Sequence, residues 1–240
     1  MTPADILASL FPHSHAVADI DHLPHGKGWI DADSPVHVVG ITGGTFPGVD
    51  EALTVSARIL TLSAEKDRTP ILFLLDSGSQ RMSKRDELLG LSETLAHLAK
   101  SLRAAEQAGH RTIGLLYGGT AAGAFIATAL ACETLVALPG AHPEVMDLPS
   151  MARVTKLSLS VLEEKARATP VFAPGLDNIV ATGGIAAVWD ESQPLATQLS
   201  ALLAQPASDE SRSALGQARG GRPKAAEIAD IVRRQALAHG

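Results

Sequence analysis

The residues of this sequence best suited to chemistry are small and lie in one glycine-rich segment, Tyr117–Gly123. An apolar run, Thr112–Tyr117, precedes the glycines, and a run of small residues continues to about Cys132, a pattern that predicts a strand, a turn and a helix. The first N–H groups of a helix have no partner within it, and the helix dipole favours negative charge there. The segment therefore predicts a main-chain site for a developing oxyanion, with close helix–sheet packing as the alternative use of the same residues.

Other glycine-rich anion sites do not fit this segment. No Lys-Ser/Thr pair follows the glycines, as it does in a phosphate-binding P-loop, and the G-x-G-x-x-G dinucleotide pattern is absent. The chain also lacks a G-x-S-x-G nucleophile elbow. Oxyanion stabilisation by main-chain amides is the chemistry that remains.

A second turn, Asp76–Ser79, follows the apolar run Pro70–Leu75. Neither of its serines has an adjacent histidine to activate it as a nucleophile, so we expect these residues to cap the next helix. Parallel strands end at one edge of a sheet, so the two turns are expected to face each other across one cleft. The candidate substrate-binding residues are Tyr117, Thr120, Gly78 and Ser79.

Strands and helices alternate along the chain, which predicts βαβ units and an α/β fold. We expect strands over Val36–Ile41, Pro70–Leu75, Thr112–Tyr117 and Thr134–Leu138, and helices over Asp50–Ser63, Lys84–Ala108, Ala121–Cys132 and Ser150–Ala168. Three regions follow from this pattern. Residues 1–35 are expected to form a solvated N-terminal arm, residues 36–205 the main domain, and residues 206–240 a linker and a C-terminal helix.

Composition narrows the function classes. The net charge of −6 argues against nucleic acid as a partner, because that binding depends on Lys and Arg at phosphates. The single cysteine, Cys132, is expected to be buried and fits a reducing compartment. The uncharged run Thr112–Cys132 is long enough for a membrane span, but its paired glycines and many Ala and Thr residues favour a buried strand and helix. With no signal-peptide pattern at the N-terminus, we expect a cytoplasmic protein without membrane attachment.

The histidines give no clear metal site. Imidazole is a common zinc ligand, but the N-terminal histidines have neither a cysteine among them nor helical i,i+4 spacing (His13, His15, His22 and His25). We therefore expect them on a solvated surface, and no metal on the chain. No spacing connects the later histidines with the two turns (His37, His97, His110 and His142).

Taken in order, these segments resemble the crotonase/carboxyltransferase superfamily and, more closely, the gamma subunits of biotin-independent malonate decarboxylases. Leu75–Met82 is similar to the S-G-G-A-R-M turn of carboxyltransferases and departs from it at Ser79 and Gln80. Tyr117–Phe125 is similar to their oxyanion turn. Further similar segments, which extend the resemblance over Gly43–Trp189, are Gly48–Leu53, Ala141–Met146 and Leu148–Val154.

The resemblance implies a crotonase-like fold, a superhelix of ββα units with stacked parallel strands and helices. It implies a chain that works with a homologous beta subunit on a malonyl thioester, carried by the CoA-like prosthetic group of an acyl-carrier protein. The products are CO₂ and the acetyl thioester, with no biotin and no cofactor bound by this chain. The amides of Ala122 and Gly123 would stabilise the enolate oxygen, and Gly118 and Gly119 would shape this backbone oxyanion hole.

Other functions stay open on the sequence. A serine protease branch of the superfamily has an S-M-G-A-F segment here, but aligning Gly123–Phe125 on its G-A-F places Ala121, which has no hydroxyl, at the nucleophile. A non-catalytic scaffold subunit of a carboxyltransferase-type complex is one alternative. A stand-alone acyl-CoA hydratase or thioesterase is another, and would need a carboxylate in the cleft, for which Glu144 is the candidate.

Overall fold

The computed structural model describes residues 1–65, 67–170, 173–206 and 212–238, and it divides the chain into two compact units. The first unit consists of Met1–Val145 and Ala187–Ala207, and the second of Met146–Ala186 and Ser208–Gly240. The expected boundaries after residues 35 and 205 do not follow this division, because the N-terminal residues are part of the first unit.

Both turns with candidate chemistry belong to the first unit. Its strands are β1 (Ser14–Ile20), β2 (Leu23–Trp29), β3 (Pro35–Thr45), β4 (Ile71–Ser77), β5 (Thr112–Leu116), β6 (Gly119–Ala121), β7 (Thr134–Ala137), β8 (His142–Glu144) and β9 (Ala187–Val188). Within the described residues the main sheet has the order β1-β2-β3-β4-β5-β7-β9, antiparallel from β1 to β3 and parallel from β3 to β9. The short strands β6 and β8 pair in parallel as a second sheet.

The helices divide between the two units. Those of the first unit are α1 (Pro3–Leu10), α2 (Val49–Glu65), α3 (Lys84–Leu88), α4 (Leu91–Gln107), α5 (Ala122–Ala127) and, late in the chain, α9 (Leu195–Leu203). Those of the second unit are α6 (Leu148–Thr155), α7 (Leu159–Ala168), α8 (Leu176–Ala181), α10 (Arg212–Ala218) and α11 (Ala225–Ala238).

The core forms where the central strands are covered on both faces. Every residue of Ile71–Leu75 in β4 is buried, which explains its continuous apolar sequence. Chain segments that are far apart in sequence meet there, including Phe11, Val38, Leu115 and Leu199. The expected strand over residues 70–75 is confirmed.

The path of the chain confirms the expected fold class. After β5 the chain adds a short strand of the second sheet, β6, and then the helix α5, and β7 is likewise followed by β8. A strand of the large sheet, a strand of the small sheet and a helix form the ββα unit expected for a crotonase-like α/β superhelix.

The first 35 residues are integrated into the first unit rather than forming a solvated arm. Thr2 and Asp5 form a capping box at the start of α1, which buries Ile6 and Leu10. A Cβ at Gly28 would lie 2.3 Å from the Phe11 ring, so glycine in β2 lets that buried ring pack against the strand. Glycine is more typical of loops than of strands, but Gly28 in the strand Leu23–Trp29 is required by the packing of Phe11.

Three further expectations change in detail. The helix expected over residues 84–108 is two helices, because Gly90 adopts a left-handed conformation (φ +81°) between them. The helix expected over residues 121–132 ends at Ala127 and is followed by a 3-10 turn at Ala129–Ala131. The linker expected after Pro206 contains the helix α10, and its residues 207–211 lie outside the described residues.

The uncharged run that includes the glycine turn is divided among β5, β6, α5 and the 3-10 turn. No helix in the described part of the chain combines the length and apolar character needed to cross a bilayer. Cys132, at the end of the run, is buried as expected, and its thiol donates to the carbonyl oxygen of Thr128 at 3.4 Å.

Candidate active site

The glycine turn differs from a simple strand-to-helix turn because β6 is inserted between β5 and α5. In that strand Gly119 lies opposite His142, Thr120 opposite Pro143 and Ala121 opposite Glu144. The helix α5 therefore begins at Ala122 and has only six residues. A helix this short has a weak dipole, so any anion site here must depend on individual N–H groups.

Ala122 has an unusual backbone conformation at the junction. Its φ of +51° lies in the left-handed region, which costs a residue with a Cβ about 1–2 kcal/mol. The residue is only partly buried, and it directly follows the end of the β6–β8 pairing. Strain of this kind is typical of functional turns.

The neighbouring amide is already bound to an oxygen. The N–H of Gly123 donates to Oε1 of Gln80 at 2.9 Å. A Cβ at Gly123 would lie 3.2 Å from that oxygen, so the Gln80 carboxamide stands directly in front of the peptide. The space before the turn is thus filled by the end of a flexible side chain, which rotation can remove.

Gly118 and Gly119 shape the turn against Asp76. A Cβ at Gly118 would lie 2.1 Å from Oδ1 of Asp76, a distance that excludes any side chain there. The N–H of Gly119 donates to the same oxygen at 3.0 Å. Because Asp76 holds this donor, Gly119 does not offer its N–H to a substrate in this structure.

The two turns face each other, as expected from the strand order. The Ser77 hydroxyl donates to Oγ1 of Thr120 at 3.0 Å, and the N–H of Ala121 donates to the carbonyl oxygen of Gly78 at 3.4 Å. Thr120 is 1% exposed, and the N–H of Gly78 donates to the carbonyl oxygen of Thr45. Both residues therefore hold the turns together, which differs from the substrate contacts expected for them; Ser79 is partly exposed beside them.

Tyr117 lies just before the turn but packs against the core. Its ring contacts the buried apolar cluster, and its hydroxyl is buried without a hydrogen-bond partner among the described residues. Burial raises the pKa of this hydroxyl far above its ordinary value. Tyr117 is therefore a packing residue in this structure, not the substrate contact that its position suggests.

The loop that presents Gln80 is fixed by charged side chains. Arg81 forms an ion pair with Glu51 of α2. Asp86 is 1% exposed and accepts hydrogen bonds from the Ser83 hydroxyl at 2.6 Å and from the N–H of Val49 at 3.2 Å. These contacts join the loop to the first turns of α2 and α3, so the position of Gln80 depends on both helices.

Sequence reasoning missed three residues of the site. Gln80 is visible only as a departure from the turn pattern of carboxyltransferases, and Asp86 only as the last residue of a Ser-x-x-Asp capping pattern. His142 reaches the turn through the pairing of β6 with β8, and its Nε2 lies 2.9 Å from the position that a Cβ on Gly119 would take. Strand pairing over this distance leaves no local signal.

Comparisons with known proteins identify the family of this chain. The family described as malonate decarboxylase gamma subunit matches residues 44–236. The malonyl-S-ACP:biotin-protein carboxyltransferase MADD of Malonomonas rubra is 26% identical over 224 residues, which cover 85% of this chain and 75% of that protein.

Solved structures show the same fold. A Pseudomonas malonate decarboxylase hetero-tetramer in complex with coenzyme A contains a chain that matches with a TM-score of 0.77 and 23% identity, covering 95% of this chain and 97% of that one. The Pseudomonas MdcD–MdcE hetero-dimer matches with a TM-score of 0.74, 24% identity and the same coverage. With the family matched over most of its length and the fold reproduced, the chain belongs to the malonate decarboxylase gamma subunit family.

Proposed function

We propose that this chain contributes one oxyanion hole to a malonate decarboxylase, formed with a homologous beta subunit in the cytoplasm. The substrate is a malonyl thioester on the CoA-like group of an acyl-carrier protein, and the products are CO₂ and the acetyl thioester. Family membership supports the reaction. The relative named for malonyl-S-ACP and the Pseudomonas hetero-dimer support the carrier and the partner.

In the proposed reaction, main-chain N–H groups rather than side chains stabilise the developing negative charge. When the bond between the α-carbon and the carboxylate breaks, its electron pair moves to the α-carbon and spreads onto the thioester oxygen as an enolate. The N–H groups of Ala122 and Gly123 stabilise that oxygen, and a single donor of this kind contributes about 3–4 kcal/mol to a transition state. Protonation of the α-carbon completes the acetyl group, and the reaction needs no biotin and no cofactor on this chain.

One observation carries the proposal: an amide oxygen already occupies the expected position of the substrate oxygen. Oε1 of Gln80 lies 2.9 Å from the N of Gly123, within the range of an oxyanion-hole contact. A thioester oxygen takes its place when the Gln80 side chain turns away. The N–H of the strained Ala122 then supplies the second donor.

The surface beside the site supports a partner. Large apolar side chains are exposed on and near the loop that presents Gln80, at Phe46, Met82 and Leu88. Exposed apolar groups of this size are typical of protein contacts. We assign them to the beta subunit, which would close the cleft.

A second candidate function is carboxyl transfer to biotin. The relative from Malonomonas rubra is named as a biotin-protein carboxyltransferase, and the same enolate forms in both reactions. Only the fate of the carboxyl group differs. A biotinylated acceptor protein is added to the assembled complex. If less CO₂ is released and carboxybiotin forms, the reaction is carboxyl transfer.

The proposal is tested by two substitutions at one residue in the assembled complex. Ala122→Val forces a β-branched side chain into a left-handed conformation and displaces the donor, so we expect kcat for CO₂ release to fall about 10²–10³-fold. Ala122→Gly keeps the N–H and relieves the strain, so turnover should stay near the wild-type rate.

Size-exclusion chromatography of each variant with the partner subunits shows whether the complex forms. Unchanged turnover in an assembled Ala122→Val complex would identify this chain as a scaffold. Turnover of an enoyl- or acyl-CoA by the chain alone would identify a hydratase or thioesterase.

A further inference from the structure

We propose that His37, Glu65 and Asp67 form a binding site for one divalent transition-metal ion such as Zn²⁺. The site lies at the amino ends of the parallel strands, whereas the candidate active site lies at their carboxyl ends. It is independent of the proposed function.

Three connected segments bring these side chains together. His37 lies near the start of β3, opposite Ile71 at the start of β4. Glu65 is the last residue of α2, and Asp67 lies in the loop that enters β4. Because α2 connects two parallel strands, it returns the chain to the edge where His37 begins its strand.

The distances fit a shared ion better than direct hydrogen bonds. Nε2 of His37 lies 3.5 Å from Oδ2 of Asp67 and 3.8 Å from Oε2 of Glu65. The three atoms that could bind a metal lie within 4.8 Å of one another. An N–H···O hydrogen bond has a donor–acceptor distance of about 2.7–3.2 Å. Two ligands about 2.1 Å from one tetrahedral ion are about 3.4 Å apart.

His37 also has a buried atom that needs a partner. Its side chain is 3% exposed, and Nε2 makes no hydrogen bond among the described residues. Leaving such a group unsatisfied is costly, and a metal ion would satisfy it. The side chain points between two carboxylates, so an ion placed there would have one nitrogen and two oxygen ligands, a set that zinc accepts.

The surroundings orient the second ligand. Oδ1 of Asp67 accepts a hydrogen bond from the N–H of Thr69 at 2.9 Å, and Oδ2 accepts one from its hydroxyl at 2.7 Å. Contacts of this kind hold ligand carboxylates in metal sites. His110 lies 3.9 Å from Asp67, but its Nδ1 faces the Thr69 carbonyl oxygen at 2.8 Å and is engaged there.

The surroundings of His37 and Asp67 favour the protonation states that bind metal. Burial lowers the pKa of His37, and Lys27 on the adjacent strand lowers it further, against the opposing effects of Asp67 and Glu65. Burial alone would raise the pKa of Asp67, but hydrogen bonds from Thr69 hold it below its ordinary value. A neutral imidazole and an ionised carboxylate are the forms that bind metal.

The test is calorimetric titration of the full, untagged chain with Zn²⁺ after EDTA treatment and dialysis. We expect saturable binding of one ion per chain and a higher melting temperature with Zn²⁺ present. Glu65→Gln and His37→Gln should each weaken binding about tenfold or more. Glu65 is half exposed, so its substitution keeps the fold even where that of buried His37 does not.

Glu93→Gln, an exposed substitution on α4, is the matched control and should leave the affinity unchanged. Absence of saturable Zn²⁺ binding would overturn the proposal. Binding of equal strength in wild-type protein and Glu65→Gln would also overturn it, because the ion would then occupy another site, such as the exposed N-terminal histidines.

Discussion

The carboxamide oxygen of Gln80 accepts a hydrogen bond from the N–H of Gly123. If Gly123 is an oxyanion donor as proposed, a substrate oxygen must displace Gln80. Removing this competitor with Gln80→Ala should lower KM by a few-fold to about tenfold, the value of one net hydrogen bond, and leave kcat unchanged. Steady-state CO₂ release by the assembled complex measures both constants.

The partly exposed neighbour Ser79 supplies the control for this experiment. Ser79→Ala removes a hydroxyl that donates to the main-chain carbonyl oxygen of Gln80 but keeps the contact between the Gln80 carboxamide and Gly123. A fall in kcat of a hundredfold for Gln80→Ala would contradict the displacement account. Gln80 would then act on the reacting atoms themselves.

The hydroxyl of Tyr117 is buried and has no hydrogen-bond partner among the described residues. Removing it therefore tests whether Tyr117 serves packing or catalysis. Replacing the residue with phenylalanine keeps the ring against the core and removes a group whose unsatisfied burial costs about 1–3 kcal/mol. We expect Tyr117→Phe to melt at the same or a higher temperature and to support wild-type CO₂ release. Lost turnover in a stable variant would show that the hydroxyl serves the reaction.

Among the elements, α3 and the loop before it hold Gln80 in position through the contacts of Asp86. The Ser83 hydroxyl, with the N–H of Val49 and the charge of Arg81, holds the pKa of Asp86 below its ordinary value of 3.8, against the opposing effect of burial. The resulting stabilisation is fully present above that ordinary pKa and is lost as the pH falls through the lowered value.

Asp86→Asn should therefore lower the melting temperature at pH 7 by several degrees. It should also make the melting temperature less dependent on pH below about 4, where the wild-type carboxylate becomes protonated. Asp50→Asn is the control, since it removes an exposed ion pair with Arg85 and keeps the contacts of Asp86 with Ser83 and Val49. If the melting temperatures of wild type and Asp86→Asn changed with pH in the same way, the charge of Asp86 would not stabilise the fold.

Elements with a local signal were predictable from the sequence, and the contacts between them were not. The apolar run of β4 and the small residues of the turn are local features, and the structure confirms the strand and the turn. The strand β2 was missed because its glycines are required by contacts with other segments: Gly28 packs against the Phe11 ring, and Gly26 against the main chain of Ala16 in β1. The contact between Gly123 and Gln80 joins residues 43 positions apart, so no local pattern could show it.

The positive φ of Ala122 was also beyond the sequence, because alanine carries no preference for a left-handed conformation. The glycines around it indicated a tight turn. Its left-handed residue follows from the short strand β6, which lies between β5 and α5 and was not predicted. The assignment of the oxyanion donors to Ala122 and Gly123 stays a prediction. The short helix α5 shows that a helix dipole would contribute less to such a site than that of a longer helix.

For the whole molecule, the proposed function makes this chain one half of an active site. The first unit carries both turns, Asp86 with its contacts, and the exposed apolar side chains beside them. In the proposed reaction two N–H groups stabilise an oxyanion but do not enclose a thioester, so the cleft needs a second surface. This is consistent with membership of a family of decarboxylase subunits.

The most direct test is a structure of the assembled complex with a malonyl-thioester analogue that cannot lose CO₂. The account predicts an oxygen of the analogue about 2.7–3.1 Å from the main-chain nitrogens of Ala122 and Gly123, with the Gln80 side chain turned away. An analogue bound elsewhere, with Gln80 still accepting the hydrogen bond from Gly123, would contradict it.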